Sequence, residues 1–188
     1  MARDTRRIIM NAVLRLAQKN PDRIQFTLTE IAMEARISRQ AIYQKHYQNV
    51  NDIIHDIHLQ IATEARKKLI QYGPSCGKSP FHIIADEMLP VLYEHREWLR
   101  VIYTTSLYPG WLGYLEKSYR PWITPFLVNN CSDADLEVVT QILIGHVLNI
   151  FIAWLKQPVP VPPDAFREQF FKLINMTPYD YISKNYKL

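Results

Sequence analysis

Four side chains just after residue 50 combine types and spacings that suit a metal site. Spacings of three and four place Asp52, His55 and Asp56 together on a helix, and His58 follows three positions after His55. Two imidazoles and a carboxylate are ligands of zinc and related metals, so a metal-dependent hydrolase or a metal-sensing regulator is one interpretation. Isoleucines share this helix, however, and a solvated helical face explains the pattern better. A similar set follows at His82, Asp86 and Glu87. We therefore predict neither an enzyme nor a cofactor.

A second group of side chains, directly upstream, is suited to reading the edges of DNA bases. The guanidinium of Arg39 matches O6 and N7 of guanine, and the amide of Gln40 matches N6 and N7 of adenine. We predict that at least one of the two reads a base; the alternative is that both contact only phosphates. The methyl group of Ala41 can meet a thymine methyl, although packing in the core explains it equally well.

The polar residues around this pair are suited to the DNA backbone. Thr27 begins a predicted helix whose positive N-terminus can face a phosphate, and a purely structural cap is compatible with that role. Tyr43 can donate its hydroxyl to a phosphate or, alternatively, pack in the core. Gln44 and Lys45 are expected to contact the backbone or the base edges. Nonspecific attraction is expected from Arg6, Arg7 and Arg36.

Two short predicted helices position these side chains. Thr27 and Glu30 fit a capping box, and Phe26 and Ile31 stand at hydrophobic-staple positions, so both signals give the same helix start. Ser38 is a second N-cap candidate and begins the next helix. This layout is a helix-turn-helix, whose second helix can enter the major groove of DNA. The residues predicted to be buried are Leu28, Ile31, Ala32, Ala35, Ala41 and Ile42.

The basic charge of the chain is concentrated at this end. Residues 1–50 contain nine of the 22 Lys and Arg residues but only four of the 18 acidic ones, whereas the remainder is close to neutral. The net charge of +4 is therefore carried by the first quarter of the chain. A solvated basic helix face has the same composition, but the coincidence with a helix-turn-helix favours DNA binding.

Composition argues against several other classes of protein. Five glycines, with no Gly-rich phosphate-binding motif, disfavour a nucleotide-binding enzyme. Polar residues interrupt the apolar positions of the basic N-terminal segment, which is typical of an amphipathic helix rather than a signal peptide. Four polar residues in the apolar run 138–155 disfavour a membrane span. Two cysteines without a C-x-x-C pattern fit free thiols in a reducing compartment, so we predict a cytoplasmic protein.

Helical periodicity continues along the chain, so we predict an all-α fold with two domains. Residues 1–50 form the helix-turn-helix DNA-binding domain, and residues 51–188 form a helical ligand-binding and dimerisation domain. Residues 50–72 are predicted to be a long helix that connects the two. Prolines and glycines between residues 103 and 125 predict several short helices, and Pro90 predicts a kink.

The T-x-x-E-I-A of Thr27–Ala32 and the S-R-x-x-I-Y of Ser38–Tyr43, followed by a long fourth helix and a helical body, resemble the TetR family of bacterial transcription regulators. The resemblance implies a homodimer that binds a palindromic operator on double-stranded DNA. It also implies repression, which a small molecule relieves by moving the fourth helix.

Three features depart from the family pattern. Arg36 stands where a glycine is usual in the turn, and a left-handed conformation there would cost roughly 1 kcal/mol. Tyr43 and Tyr47 are four positions apart instead of three, which indicates one inserted residue. Asn49–Asn51 occupies the place where a lysine usually contacts a phosphate.

Aromatic residues crowd the middle of the predicted body, which indicates a ligand pocket. Aromatic walls with few polar groups suit an apolar or aromatic small molecule, whereas packing in the core explains any single ring equally well. A DNA-binding architectural protein with a sealed core and no ligand is the remaining alternative. The predicted ligand-binding residues are Trp98, Tyr103, Tyr108, Trp111 and Trp122.

The last two predicted helices, near residues 132–155 and 164–175, are too apolar to face water. Pairing both with a second copy of the chain gives a four-helix interface. A dimer also follows from the helix-turn-helix, because one such unit reads only a half-site. The predicted dimerisation residues are Ile142, Val147, Ile150, Phe151, Trp154, Phe166 and Phe170.

Overall fold

The regular structure of the computed structural model, which describes residues 2–44, 47–107, 110–128, 132–177 and 180, is entirely helical. The predicted all-α fold is therefore confirmed. The elements are α1 (Ala2–Lys19), α2 (Leu28–Ala35), α3 (Arg39–Tyr43), α4 (Val50–Leu69), a 3₁₀ turn (Pro74–Cys76), α5 (Pro80–Ile83), a π-turn (Ile84–Met88), α6 (Leu89–Glu94), α7 (Arg96–Thr104), α8 (Trp111–Leu127), α9 (Asp133–Leu155) and α10 (Pro163–Asn175).

Capping chemistry fixes the starts of α2 and α3. Thr27 Oγ1 accepts a hydrogen bond from the Glu30 amide at 3.2 Å, and the Glu30 carboxylate accepts one from the Thr27 amide at 2.8 Å. The predicted capping box is therefore present, and the staple residues Phe26 and Ile31 are both buried. The hydroxyl of Ser38 accepts from the Ala41 amide at 3.2 Å and caps α3 as predicted.

The long helix α4 joins α1–α3, which we call the head, to α5–α10, which we call the body. Asn49 is its N-cap, and Asp52 completes a second capping box. Its buried side contains Ile53, Ile57 and Ile61 and packs against both head and body. One continuous hydrophobic core therefore extends from α1 to α10.

The short helices predicted between residues 103 and 125 are wrong, because α8 runs unbroken from Trp111 to Leu127. Pro121 and Pro125 lie on its exposed side, where water can bond the carbonyls that lack an amide partner. Its other side buries Tyr119 and Ile123 in the core. The packing of that side offsets the two missing hydrogen bonds.

The break predicted at Pro90 takes the form of a π-turn immediately before it. The amide of Leu89 bonds the carbonyl of Ile84, five residues back, and α6 then begins with Pro90 in its first turn. A proline in a first turn loses no hydrogen bond that the helix requires. The π-turn therefore accommodates Pro90, and the chain continues directly into α6.

Most of the predicted dimerisation residues are already packed inside the single chain, and their role in a dimer stays a prediction. Trp154 stacks on Phe166 at 4.4 Å between ring centroids, and Phe151 stacks on Phe170 at 6.0 Å. These contacts pack α10 against α9, and six of the seven predicted residues are buried within the chain. The six are Val147, Ile150, Phe151, Trp154, Phe166 and Phe170, whereas Ile142 is 66% exposed.

One side of α9 stays open and is largely apolar, with the amides of Gln141 at its edge and Asn149 within it. By length and composition alone, residues 135–155 would suffice to cross a membrane, with a mean hydropathy of 1.9, but core helices pass the same test. Only 44% of that stretch is buried in the chain. Six exposed or half-exposed residues form a stripe along this side, which we call the open face of α9: Val138, Ile142, Gly145, Asn149, Ile152 and Ala153.

Candidate nucleic-acid interface and ligand cavities

The outward surface of α3 presents the side chains predicted to read DNA. Arg39, Gln40, Tyr43 and Gln44 are exposed. Ile42 is fully buried and anchors the opposite side of the helix in the head. Ala41 is half-buried, and Lys45 lies outside the described residues. The cap at Ser38 and the anchor at Ile42 thus fix which side of this short helix faces outward.

Arg39 and Tyr43 form a pair one helical turn apart on this surface. The Arg39 guanidinium donates to the Tyr43 hydroxyl at 2.9 Å and lies 5.4 Å from the ring centroid. The contact uses one of five guanidinium N–H donors and leaves the others available to a guanine or a phosphate. The pair therefore partly orders the arginine side chain before any DNA is bound.

Arg36 forms the turn between α2 and α3 in a left-handed conformation, with φ 55° and ψ 41°. Its amide bonds the carbonyls of Ala32 and Met33, and the Ile37 amide bonds Ala32 at 3.1 Å. This is the helix C-terminal geometry that usually takes glycine, because a Cβ atom is strained there. Arg36 therefore adopts the backbone conformation that glycine usually has in this turn, at an energetic cost.

Replacing Arg36 by glycine is expected to stabilise the fold by about 1 kcal/mol, because the left-handed strain is removed. Denaturant unfolding monitored by circular dichroism measures the change. The control is Arg36→Ala, which removes the charge but keeps the Cβ atom and should give little or no stabilisation. An equal gain from both variants would show that the charge, and not the backbone, is the cause.

Acidic side chains near the helix-turn-helix are paired with basic ones. Glu34 forms ion pairs of 2.7 Å with both Arg15 and Lys19, which tie α2 to α1. Glu30 pairs with Arg23 at 2.7 Å, and the Thr27 hydroxyl donates to the same carboxylate at 2.9 Å. The Thr27 side chain is thus engaged in capping, so its proposed role toward phosphate falls on the helix N-terminus that it positions.

Because of the hydrogen bonds of Glu30, the stabilisation of the fold by this capping box depends on pH. The Arg23 guanidinium, and then the Thr27 amide and hydroxyl, lower the pKa of Glu30 from 4.5 to about 2. A lowered pKa in the folded state means that the carboxylate stabilises the fold above pH 4.5 and stops doing so as the pH falls towards 2.

We expect Glu30→Gln to be less stable than the natural chain near neutral pH and nearly equal to it at pH 2. Glutamine keeps the capping geometry and lacks only the charge, so the comparison isolates the ionised form. Urea unfolding at several values between pH 2 and pH 6 gives the difference in free energy. A difference that stays constant over this range would contradict the assignment.

Two adjoining cavities lie in the body beneath α8. Both are small: the first has a cavity volume of about 30 Å³ and the second of about 20 Å³. Both are walled mainly by apolar side chains. The first is lined by Leu69, Phe81, Ile84, Trp122, Ile123, Leu143, Ile144 and Val147, the second by His58, Ile61, Ala62, Leu92, Leu99, Tyr103 and Leu115, and both by Met88, Tyr119, Leu148 and Phe151.

Only some of the five predicted ligand-binding residues lie at these two cavities. Trp122 lines the first cavity and Tyr103 the second. Trp111 backs the second, because its ring stacks on Tyr103 at 4.5 Å between centroids. Trp98 lies apart from these two cavities and lines a separate, more open pocket between α1 and α7, so its role in ligand binding stays a prediction. Tyr108 lies outside the described residues.

Trp98 instead joins the body to the head. Its indole N–H donates to the Asn11 side-chain oxygen of α1 at 3.1 Å. Nearby, the Ser106 amide donates to the Pro21 carbonyl at 2.8 Å. These two bonds connect α7 and its following loop to the head independently of α4.

Sequence reasoning missed His58 and Tyr119 as cavity residues. His58 is 3% exposed and its ring lies parallel to Trp111 at 6.0 Å. The available signal was its position four residues after Ile54 and three before Ile61, on the apolar side of α4. Tyr119 was seen only as one of many aromatic residues, and nothing in its spacing separated it from the others.

Other partners engage the carboxylates of the two sets considered as metal ligands. Asp56 accepts from Tyr47 and lies 3.9 Å from Arg6, whereas Asp52 caps α4. In the second set, Asp86 pairs with Arg167, and Glu87 accepts from Tyr72. Among the described residues, no three His, Cys, Asp or Glu side chains converge on one point.

Two solved structures share this fold over most of the chain. The one named dihydroxyacetone kinase operon activator DhaS is 16% identical, with a TM-score of 0.56 over 90% of this chain and 93% of its own. A TetR transcriptional regulator from Streptococcus agalactiae 2603V is 15% identical, with a TM-score of 0.59 over 92% and 94%. No protein-family model and no curated protein matches the sequence. The chain has the TetR-type fold, as the resemblance of its first 50 residues predicted.

Proposed function

We propose that this protein is a dimeric, sequence-specific, DNA-binding regulator of transcription. The observation that carries the proposal is the outward surface of α3, where Arg39, Gln40 and Tyr43 are exposed on a capped and anchored helix. Helix-turn-helix proteins use such a surface to place side chains in the major groove. The basic excess of residues 1–50 supplies attraction to the phosphates, and the setting would be the cytoplasm.

The open face of α9 supports the proposed homodimer. It is a mainly apolar stripe along the helix, and Val138 and Ile142 are 57% and 66% exposed. Two copies related by a two-fold axis would cover this stripe with itself. Two heads held in this way can read the two halves of a palindrome.

Repression, relieved by a small ligand, is the direction that the TetR resemblance favours. One of the proteins with this fold is named an operon activator, so activation is the alternative direction of control. A reporter gene placed behind the bound operator distinguishes them. A repressor lowers reporter output when the chain is present, and an activator raises it.

Trp122 connects the first cavity in the body with α4, the helix that leads to the head. Its indole N–H donates to the carbonyls of Leu69 and Tyr72, at 2.9 Å and 3.1 Å, and so holds the end of α4. The same side chain lines the first cavity. A ligand that displaces Trp122 would release α4 and change the spacing of the two heads, which is how we propose that binding alters DNA affinity.

Selection of bound sequences from random duplex DNA, followed by a salt titration on the selected site, tests this function. We expect a palindrome, with an affinity whose logarithm falls linearly with the logarithm of salt concentration. Uniform retention of all sequences would support the architectural alternative instead. Metal analysis of the purified protein, with DNA affinity measured before and after chelation, tests the metal-sensing alternative.

A further inference from the structure

A groove on the outer surface of the body lies between the end of α4 and the exposed side of α8. Its cavity volume is about 250 Å³, far larger than that of either cavity beneath α8. This volume is just below the range typical of sites for drug-sized ligands, so the groove suits a smaller molecule. We call it the α4–α8 groove, and six apolar or aromatic residues form most of its lining: Ile70, Tyr72, Pro74, Pro121, Trp122 and Pro125.

The apolar part of this lining is partly exposed to water. Ile70 is 62% exposed, and the two prolines of α8 lie on its exposed side. The indole N–H of Trp122 is shared between the carbonyls of Leu69 and Tyr72, so Trp122 offers a ring surface and no free donor. An apolar or aromatic group that covered these side chains would remove them from water, which is favourable.

Arg66, in the last turn of α4, gives the groove one positive charge. No acidic side chain is among the described residues that line it. Arg66 is exposed and takes part in none of the ion pairs between described residues. A carboxylate can bond a guanidinium through two parallel N–H donors, and at this position it would displace only water. The charge of the lining therefore favours an anion over a cation.

The hydroxyl groups at the groove are already used as donors. The Ser118 hydroxyl donates to the Tyr114 carbonyl at 2.8 Å, and the Tyr72 hydroxyl donates to the Glu87 carboxylate at 2.8 Å. Among the described residues of the lining, the side-chain donor that stays available to a ligand is therefore the guanidinium of Arg66. One charged donor beside an apolar surface suits a molecule with one anionic group and one apolar part.

The α4–α8 groove includes the residues that hold the end of α4. Arg66 belongs to the last turn of this helix and Ile70 is its C-cap, whereas Trp122 comes from α8 and bonds the carbonyls at this end. A molecule between them would contact both sides of the junction by which α8 holds α4. Its binding would change how firmly α4 is held, which is the step proposed above to change the spacing of the two heads.

We propose that the α4–α8 groove binds a small aromatic carboxylate. The ring would cover Ile70 and the indole of Trp122, and the carboxylate would pair with Arg66. The inference rests on the proposed ligand control of DNA binding and adds the position and the chemical class of the ligand.

The test uses the full chain without DNA, so that it is independent of the proposed operator. The probes are benzoate, benzyl alcohol and benzylammonium at pH 7.5 and low salt, which share one ring and differ in charge. Titration calorimetry and tryptophan fluorescence measure the binding. We expect benzoate to bind saturably, and benzylammonium to bind at least about tenfold more weakly because it meets a like charge. Added salt should weaken benzoate binding, because Arg66 is exposed.

Two charge variants of the same helical turn decide the position of the carboxylate. Arg66→Gln is expected to weaken benzoate binding about five- to tenfold and to leave benzyl alcohol binding unchanged. The matched control is Lys67→Gln, since Lys67 is exposed in the same turn and does not line the groove. This control removes the same charge and should leave the affinity for benzoate nearly unchanged.

A third variant tests the apolar wall. Ile70→Gln should weaken the binding of benzoate and of benzyl alcohol alike, because both rings lose the same aliphatic surface. Ile70 is exposed, so the variant should fold as the natural chain does.

Three outcomes would overturn the proposal: no saturable binding of benzoate, equal binding of benzylammonium, or a loss of affinity in Lys67→Gln as large as in Arg66→Gln. A palindromic DNA site selected by the same protein would stand in each case. Conversely, benzoate bound by a chain that selects no palindrome would keep the groove as a binding site. Failure of the ligand site is thus distinguishable from failure of the proposed regulator.

Discussion

Replacing Ile142 by aspartate is expected to convert the protein from a dimer into a monomer. Ile142 is 66% exposed near the middle of the open face of α9, and a two-fold interface would contain the substitution twice. Two carboxylates buried in an apolar interface would be desolvated without partners, at a cost of several kcal/mol per ion. Sedimentation at micromolar concentration measures the result, with the natural chain as the dimeric reference.

Loss of the dimer should also weaken binding to a palindromic site by about 100-fold or more, because the two half-sites are no longer bound by one molecule. The control is Val159→Asp, at a residue 82% exposed in the connection after α9, which should keep both the dimer and the affinity. An Ile142→Asp protein that stays dimeric would exclude the open face of α9 as the interface. Because Ile142 is exposed in the single chain, Ile142→Asp should change the Tm of that chain little.

The starts of several helices were predictable because capping is a local interaction. Thr27 and Ser38 were both identified from the sequence, and each side chain bonds an amide three residues ahead. The type of the following residues and their spacing contain all the information that such a contact needs. For the same reason the turn at Arg36 was correctly placed between two helices.

The outward side of α9 was not predictable, because apolar residues surround the helix on almost every side. A periodic pattern identifies the buried side of a helix only where polar residues mark the opposite one. Phe151 and Trp154 were therefore assigned to an interface, although α10 covers them in the same chain. Only the packing of α10 shows that Ile142 and its neighbours remain open.

The residues that line the cavities could likewise be predicted only in part from the sequence. Tyr103 and Trp122 were chosen because aromatic residues cluster there, but so was Trp98, which bonds Asn11 at the junction with the head. His58 and Tyr119 come from helices far apart in the sequence and meet at one cavity. Contacts of this kind depend on how helices are arranged in three dimensions, and the local sequence does not contain that information.

Arg39→Ala is expected to lower affinity for the selected operator by about 1–3 kcal/mol, roughly five- to 150-fold. The structure gives this residue two functions: its guanidinium lies on the exposed surface of α3, and it orders Tyr43 through a bond of 2.9 Å. Removing it would eliminate a base contact and leave the tyrosine hydroxyl without this partner.

Three companion variants separate these functions in the same binding titration. Arg39→Lys keeps the charge but lacks the paired donors that match a guanine, so it should retain binding to random DNA while losing preference for the operator. Tyr43→Phe removes only the acceptor of the arginine and should have the smaller effect. Gln40→Ala tests the other residue predicted to read a base. If Arg39→Ala weakened operator and random DNA equally, Arg39 would be a phosphate contact and sequence reading would fall to Gln40, because a contact that stabilises every sequence equally contributes nothing to the choice among them.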